Sequence, residues 1–204
     1  MFTEHVQSRA AAKDETRRKV LVAAERLFRR QGFVDTTIRQ IAAEAGVSTG
    51  TVMGVGDKDG LLIKVFDDWI AAVHAHRPGG ERQEPLTPEG AADAVIDLLM
   101  PFLRYFAKDP ALSRQYSSIV VRGTHESAIF GDLAVALVTE FQAVLARAAL
   151  CDAAAARAAR VVYFAYLGIV MTGGNYVSGG ASVPDQLRDA VRSVIEHPQQ
   201  GDDL

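Results

Sequence analysis

The apolar residues of this chain recur at intervals of three and four from Val20 to Val194, and nowhere do they alternate with polar ones in the rhythm of a strand. Each such run lays an apolar stripe along one side of a helix. A chain made only of these stripes has to bury them helix against helix. The pattern therefore predicts an all-α fold of about nine helices.

Glycines and prolines divide the pattern into elements. Residues 1–13 are polar and read as a loose arm carrying Arg9 and Lys13. A first helix is predicted from about Asp14 to Gln31, with Val20, Leu21, Ala24, Leu27 and Phe28 on one face and Gly32 in the left-handed position that ends it. Thr36 or Thr37 caps a short second helix whose apolar positions are Ile38, Ile41, Ala42 and Ala45. Gly46 stops that helix, Val47 plugs the turn, and Ser48 caps a very short third helix reaching about Gly54. A helix ending in Ala-Gly-Val and followed at once by a Ser-capped helix is the tight connection of a helix-turn-helix. Leu61, Leu62, Val65, Phe66, Trp69, Ile70 and Val73 define a fourth helix, and residues 77–87, with Pro78, Gly79, Gly80 and Pro85, form the clearest linker.

Beyond the linker, Thr87-Pro88-Glu89 opens a fifth helix that Pro101 should kink. Asp109-Pro110 opens a sixth, and a seventh spans about Ser127 to Ala149. The eighth, capped by Asp152 and reaching about Tyr176, is apolar on every side from Val161 to Met171, so it is expected to be buried on every side. Pro184 opens a ninth with Leu187, Ala190, Val191 and Val194 inward, and the tail after His197 is polar. The expected architecture is a three-helix head joined by the fourth helix to a C-terminal bundle, divided as residues 1–60 and 61–204.

Charge supports that division. Residues 1–60 hold 10 Lys and Arg against 8 Asp and Glu, whereas residues 61–204 hold 12 against 17. A mildly basic head on an acidic body suits a chain that offers one end to phosphate. The single cysteine, Cys151, excludes an internal disulfide and fits a reducing compartment; it reads as a filler where two helices meet. Residues 1–15 are too polar for a signal peptide, and the longest apolar run, Val161 to Met171, is too short to span a bilayer, so a cytoplasmic protein without membrane attachment is expected. His74 and His76 lie on different helix faces and make a poor metal pair, and no phosphate loop, cysteine cluster or nucleophile motif occurs. Neither catalysis, nor a metal, nor a cofactor is expected.

The run Thr16-Arg-Arg-Lys-Val-Leu-Val-Ala-Ala-Glu-Arg-Leu-Phe-Arg-Arg-Gln-Gly-Phe33, followed by Thr36-Thr-Ile-Arg-Gln-Ile-Ala-Ala-Glu-Ala-Gly-Val-Ser-Thr-Gly-Thr51, closely resembles the signature of the TetR family of transcriptional regulators. The resemblance covers about the first 65 residues. It implies a repressor that binds a palindromic double-stranded DNA operator as a homodimer and is released by a small-molecule effector. It places Thr49, Gly50 and Thr51 of the recognition helix against the DNA. Arg39 becomes a candidate for base or phosphate, Thr37 and Ser48 offer helix-start amides to phosphate, and Lys58 takes the family's phosphate-contacting position. Arg9, Lys13, Arg17 and Arg18 would add non-specific attraction.

The chain departs from the family pattern after Thr51. Met53 stands where the family has a phosphate-binding tyrosine, the usual phenylalanine is missing, and the segment to Lys58 is one residue short. Gly54 and Gly56 add backbone freedom there, at about 1 kcal/mol each relative to alanine if helical. These departures keep an alternative open: a TetR-like protein with weakened DNA binding that acts through protein partners.

In the body, Ala165, Gly168, Gly173 and Gly174 of the eighth helix, with Val191 and Val194 of the ninth, are the candidate dimer surface. Phe102, Tyr105, Phe106, Tyr116, Phe130, Phe141, Tyr166, Met171 and Asn175 are candidates to line a pocket for an apolar or aromatic effector; plain core is the competing reading of the same stripes. Arg104, His125 and Thr172 are further polar groups that could orient such a molecule.

Overall fold

The computed structural model describes residues 2–75, 84–127, 130–172 and 180–197, and among these there are nine helices and no strand. They are α1 (Phe2–Gln31), α2 (Ile38–Ala45), α3 (Thr49–Val55), α4 (Lys58–Ala75), α5 (Pro88–Lys108), α6 (Pro110–Arg122), α7 (Phe130–Ala146), α8 (Asp152–Thr172) and α9 (Val183–Glu196). The all-helical expectation holds. The loose arm does not, because α1 continues back to Phe2. No Gly or Pro interrupts residues 2–31, and Glu4, Gln7, Ala10, Ala11, Ala12 and Lys13 all tolerate a solvated helix. A polar composition was therefore compatible with helix throughout.

Contacts sort the chain into two compact units, Met1–Ile70 with Ala111–Ser127, and Ala71–Pro110 with Ala128–Leu204. In the first, α1 packs on α2 and α3, and α2 on α3. Its core comprises Val20, Ala24, Leu27 and Phe28 of α1, Ile41 and Ala42 of α2, Val52 of α3, and Leu61, Leu62 and Phe66 of α4. Tyr116 of α6 is 1% exposed and stacks on Phe66, ring centroids 4.2 Å apart and planes 11° from parallel. Arg17 reaches from α1 to Asp68 of α4 at 2.8 Å.

In the second unit α8 packs on α7 and α9, and α5 on α9 and α7. Leu99 and Phe102, Leu137 and Phe141, Ala155 and Ala159, and Leu187 and Val191 are fully buried among these helices. α5 passes through Pro101 without ending. Thr87 caps α5 through Gly90, and Ser182 caps α9 through Asp185. α8 begins at Asp152, with Ala155 N–H donating to the Cys151 carbonyl, so Cys151 stands at the helix start, exposed instead of filling a junction.

The eighth helix corrects its expectation more substantially. Arg157, Val161, Phe164 and Gly168 are all exposed, and they fall on one stripe at steps of four, three and four. Val161 is 53% and Phe164 68% exposed, so one side of the apolar helix is uncovered among the described residues. High apolar content shows that a helix must be covered but not what covers it. Val191, by contrast, is 0% exposed inside the unit and is not available as a dimer contact, while Val194 is half-buried. The 21-residue α8 is also long and apolar enough, by length and composition alone, to cross a membrane. The alanine-rich start, Ala153–Ala159, supplies the length that the run from Val161 to Met171 lacked; the core helix of a bundle has the same composition.

Candidate nucleic-acid interface

Local chemistry accounts for the α2–turn–α3 geometry residue by residue. Thr37 is the N-cap of α2. Its Oγ1 accepts from Gln40 N–H at 3.3 Å, while Gln40 Oε1 accepts from Thr37 N–H at 2.8 Å, a reciprocal capping box. Gly46 ends α2 at φ +67°, where a side chain would be strained. Val47 N–H returns to the Ala42 carbonyl at 3.0 Å. Ser48 caps α3: its Oγ accepts from Thr51 N–H at 3.0 Å and lies 2.9 Å from Thr51 Oγ1. Thr36 is fully buried and donates to the Gly32 carbonyl at 2.7 Å.

α3 is held from one side only. Val52 is its one buried residue, whereas Thr49, Gly50, Met53 and Gly54 are exposed on the other side. A Cβ added at Gly50 would meet only Ser48 Oγ, at 3.7 Å, and one added at Gly54 would meet nothing within 4 Å. These glycines thus leave room outside the protein, not inside it. Gly56 is the C-cap at φ 169° and ψ 164°, extended backbone outside the helix, so the helical penalty expected for it does not apply.

The other candidates lie apart from that face. Arg39 on α2 is exposed and engages no carboxylate among the described residues. Lys58 is half-buried; its Nζ donates to the carbonyls of Phe33 and Val34 at 3.1 and 3.2 Å and stands 4.5 Å over the Phe33 ring. It ties the start of α4 to the α1–α2 turn. Arg17 pairs with Asp68, and Arg18 with Glu15 at 2.8 Å. That guanidinium holds the Glu15 carboxyl below its ordinary range. Arg26 and Arg30 both face Glu44, at 2.9 and 3.9 Å. Much of the head's positive charge is therefore locally compensated.

Sequence reasoning passed over Asp57. Its backbone carbonyl accepts from Leu61 N–H at 2.8 Å and its Oδ1 from Gly60 N–H at 2.8 Å, which makes it the cap of α4. The Gly60 amide is the chief cause that holds its carboxyl below the ordinary carboxylate range, with His125 adding to it. Asp57 three residues before Gly60 was a legible capping spacing; the arrival of His125 from 68 residues away was not.

The pocket candidates divide between the units. Phe102, Tyr105, Phe141 and Tyr166 are buried on α5, α7 and α8 of the second unit, with Phe106 and Met171 half-buried. Tyr116 belongs to the first unit, against Phe66. Phe130 begins α7, and Asn175, like Gly173 and Gly174, lies outside the described residues. Of the polar groups, Arg104 and Thr172 are exposed, and His125 sits on Asp57.

Residues 20–54 match the model of the bacterial regulatory proteins of the tetR family. Over 50 residues the chain is 50% identical to the HTH-type transcriptional regulator HbdR of Aromatoleum sp. (strain CIB), a match spanning 24% of this chain and 22% of that protein. Two crystal structures share the fold over 92% of this chain. One is Thermus thermophilus FadR, a TetR-family repressor in complex with lauroyl-CoA, at TM-score 0.63, 18% identity and 97% coverage of that chain. The other is a TetR transcriptional regulator from Rhodococcus sp. RHA1, at TM-score 0.57, 22% identity and 98% coverage.

Proposed function

We propose that this chain, a tetR-family regulatory protein by its residues 20–54, is a DNA-binding transcriptional repressor. It binds a palindromic operator as a homodimer and leaves it when a small apolar or aromatic effector binds the body. The observation that carries the reading is α3: a capped helix anchored by Val52 alone, with Thr49, Gly50, Thr51 and Met53 turned outward or half outward. A helix presented this way enters a major groove by its N-terminal end. Gly50 lets its backbone approach base edges, and Arg39 supplies a cation beside it. Thr37 and Ser48 place helix-start amides near phosphate, and Met53 contributes apolar contact. Lys58 acts on this reading by fixing the start of α4, its ammonium being engaged by two carbonyls.

The dimer reading is supported by the stripe Arg157, Val161, Phe164 and Gly168 on α8, together with Asp185, Asp189, Ser193 and Glu196 exposed on α9. An uncovered apolar stripe gains cover when two copies meet through it about a two-fold axis. The effector site falls among Phe102, Tyr105, Phe106, Phe141, Tyr166 and Met171 of the second unit, an aromatic and aliphatic lining suited to an apolar molecule. That the FadR of similar fold holds lauroyl-CoA makes fatty acyl-CoA thioesters the first class to screen.

The deciding experiment is a salt-dependent mobility-shift assay on promoter DNA flanking the gene. Binding that requires a palindrome and survives moderate salt is expected. Weak, sequence-blind binding would instead favour the partner-protein alternative that Met53 and the shortened segment leave open.

A further inference from the structure

The loop that follows α6 returns to the point where α3 gives way to α4, all within the first compact unit. Three side chains from this loop and the end of α6 meet three acidic residues. Arg122 pairs with Asp59 at 3.2 Å, His125 Nε2 lies 2.8 Å from Asp57 Oδ1, and Ser127 Oγ donates to the buried carboxylate of Asp67. The middle contact is the unusual one. Asp57 Oδ1 already accepts from Gly60 N–H, so a single carboxylate oxygen both caps α4 and receives the imidazole. With Asp57 ionised, Nε2 is the donor, which leaves Nδ1 facing Thr124 Oγ1 at 3.3 Å.

Gly60 gives a second, independent mark of the same arrangement. It is buried, and a Cβ built on it would stand 3.2 Å from His125 Cδ2 and 3.1 Å from Asp57 Oδ1. Its φ needs no glycine; the imidazole edge does. The space that a side chain would take is filled by a ring that arrives from far along the chain.

We propose that His125 is a positioning residue for DNA recognition: it holds the Asp57 cap over the bare face of Gly60 and so fixes the exit of the recognition helix. The inference rests on the DNA-binding reading of α3. Its logic is mechanical. α3 has seven residues, two of them internal glycines and one buried anchor, so the direction of its exposed face depends on what grips its two ends. The Ser48 cap grips the first end. At the second, the chain leaves through extended Gly56 directly into Asp57, which His125 ties to the loop after α6, while the next residue, Lys58, is tied to the α1–α2 turn.

The test pairs His125→Ala with His125→Gln, whose side-chain amide can place an N–H donor near the Nε2 position. Amide exchange is read at Gly56, Gly60 and Leu61, alongside the melting temperature and affinity for operator DNA. Loss of a hydrogen bond to an exposed carboxylate predicts about fivefold faster exchange at Gly60 in the alanine variant. Operator affinity should fall by a similar factor, and His125→Gln should restore both. The proposal is overturned if His125→Ala leaves exchange and affinity unchanged, if glutamine rescues neither, or if exchange accelerates evenly across α1 and α2 as a general loss of stability would require. Absence of specific DNA binding by the unsubstituted protein would overturn the functional reading itself, an outcome separate from these.

Discussion

Replacing Gly54 by alanine should strengthen α3 without touching the rest of the first unit. Gly54 lies inside α3, its φ is not positive, and an added Cβ meets nothing within 4 Å. The substitution therefore introduces neither strain nor contact, and its effect reduces to helix propensity, about 0.8–1 kcal/mol in favour of alanine. If α3 opens locally, that stabilisation slows exchange of the Val52 to Val55 amides by about fivefold and leaves α1 amides unchanged. Gly56 is the internal control. It sits in extended backbone, so Gly56→Ala offers no helical gain, and its Cβ would stand 3.4 Å from the movable Lys64 Nζ. Gly50 is the functional control. Alanine fits there too, 3.7 Å from Ser48 Oγ, but its methyl projects where DNA would approach, so operator affinity should fall although the helix is no weaker. Hydrogen exchange by NMR reads the first two variants and a mobility shift the third. Unchanged α3 exchange in Gly54→Ala, or equal slowing in Gly56→Ala, would refute the reasoning.

Other consequences are accessible to simple measurements. Phe164→Glu puts charge into the middle of the exposed α8 stripe; if that stripe joins two copies as proposed, sedimentation should find the variant monomeric and the unsubstituted protein dimeric at the same concentration, with helix content by circular dichroism preserved. Asp57 is held below the ordinary carboxyl range by Gly60 N–H and then by His125, so its contribution is complete above about pH 4 and is lost as pH falls from there toward its folded value. Asp57→Asn, which can still cap α4, should accordingly flatten the decline of melting temperature on acidification. Burial pushes the Tyr163 phenol above its ordinary titration range, so the folded state favours the protonated form and loses that stability as pH rises past about 10. Tyr163→Phe should remain more stable than the unsubstituted protein above that pH.

What could be read from the sequence was chemistry that acts within a few residues. Gly46 demanded a left-handed turn, Ser48 announced the start of α3, and Thr37 three residues before Gln40 encoded a capping box. What could not be read depended on partners distant in sequence. Nothing in Lys58 itself shows that its ammonium is satisfied by the carbonyls of Phe33 and Val34. Tyr116 looked like a pocket aromatic because its stacking partner, Phe66, lies 50 residues earlier. α8 looked buried all round because an apolar composition records the need for cover without recording its direction; Phe164, 68% exposed, marks the uncovered side. The start of α1 differs for the opposite reason: its residues are polar, but without glycine or proline nothing breaks the helix there.

The grouping of Ala111–Ser127 with Met1–Ile70 bears on attempts to treat the head as an exchangeable module. A chimera that transplanted only the first 75 residues onto another regulator would carry Phe66 without the Tyr116 ring that covers it, and Asp57 without His125. A cut at the linker divides one core across two parents. A working graft has to move two discontinuous pieces together, α1 to α4 and α6 with its following loop, so the smallest unit of inheritance is not a contiguous stretch of gene.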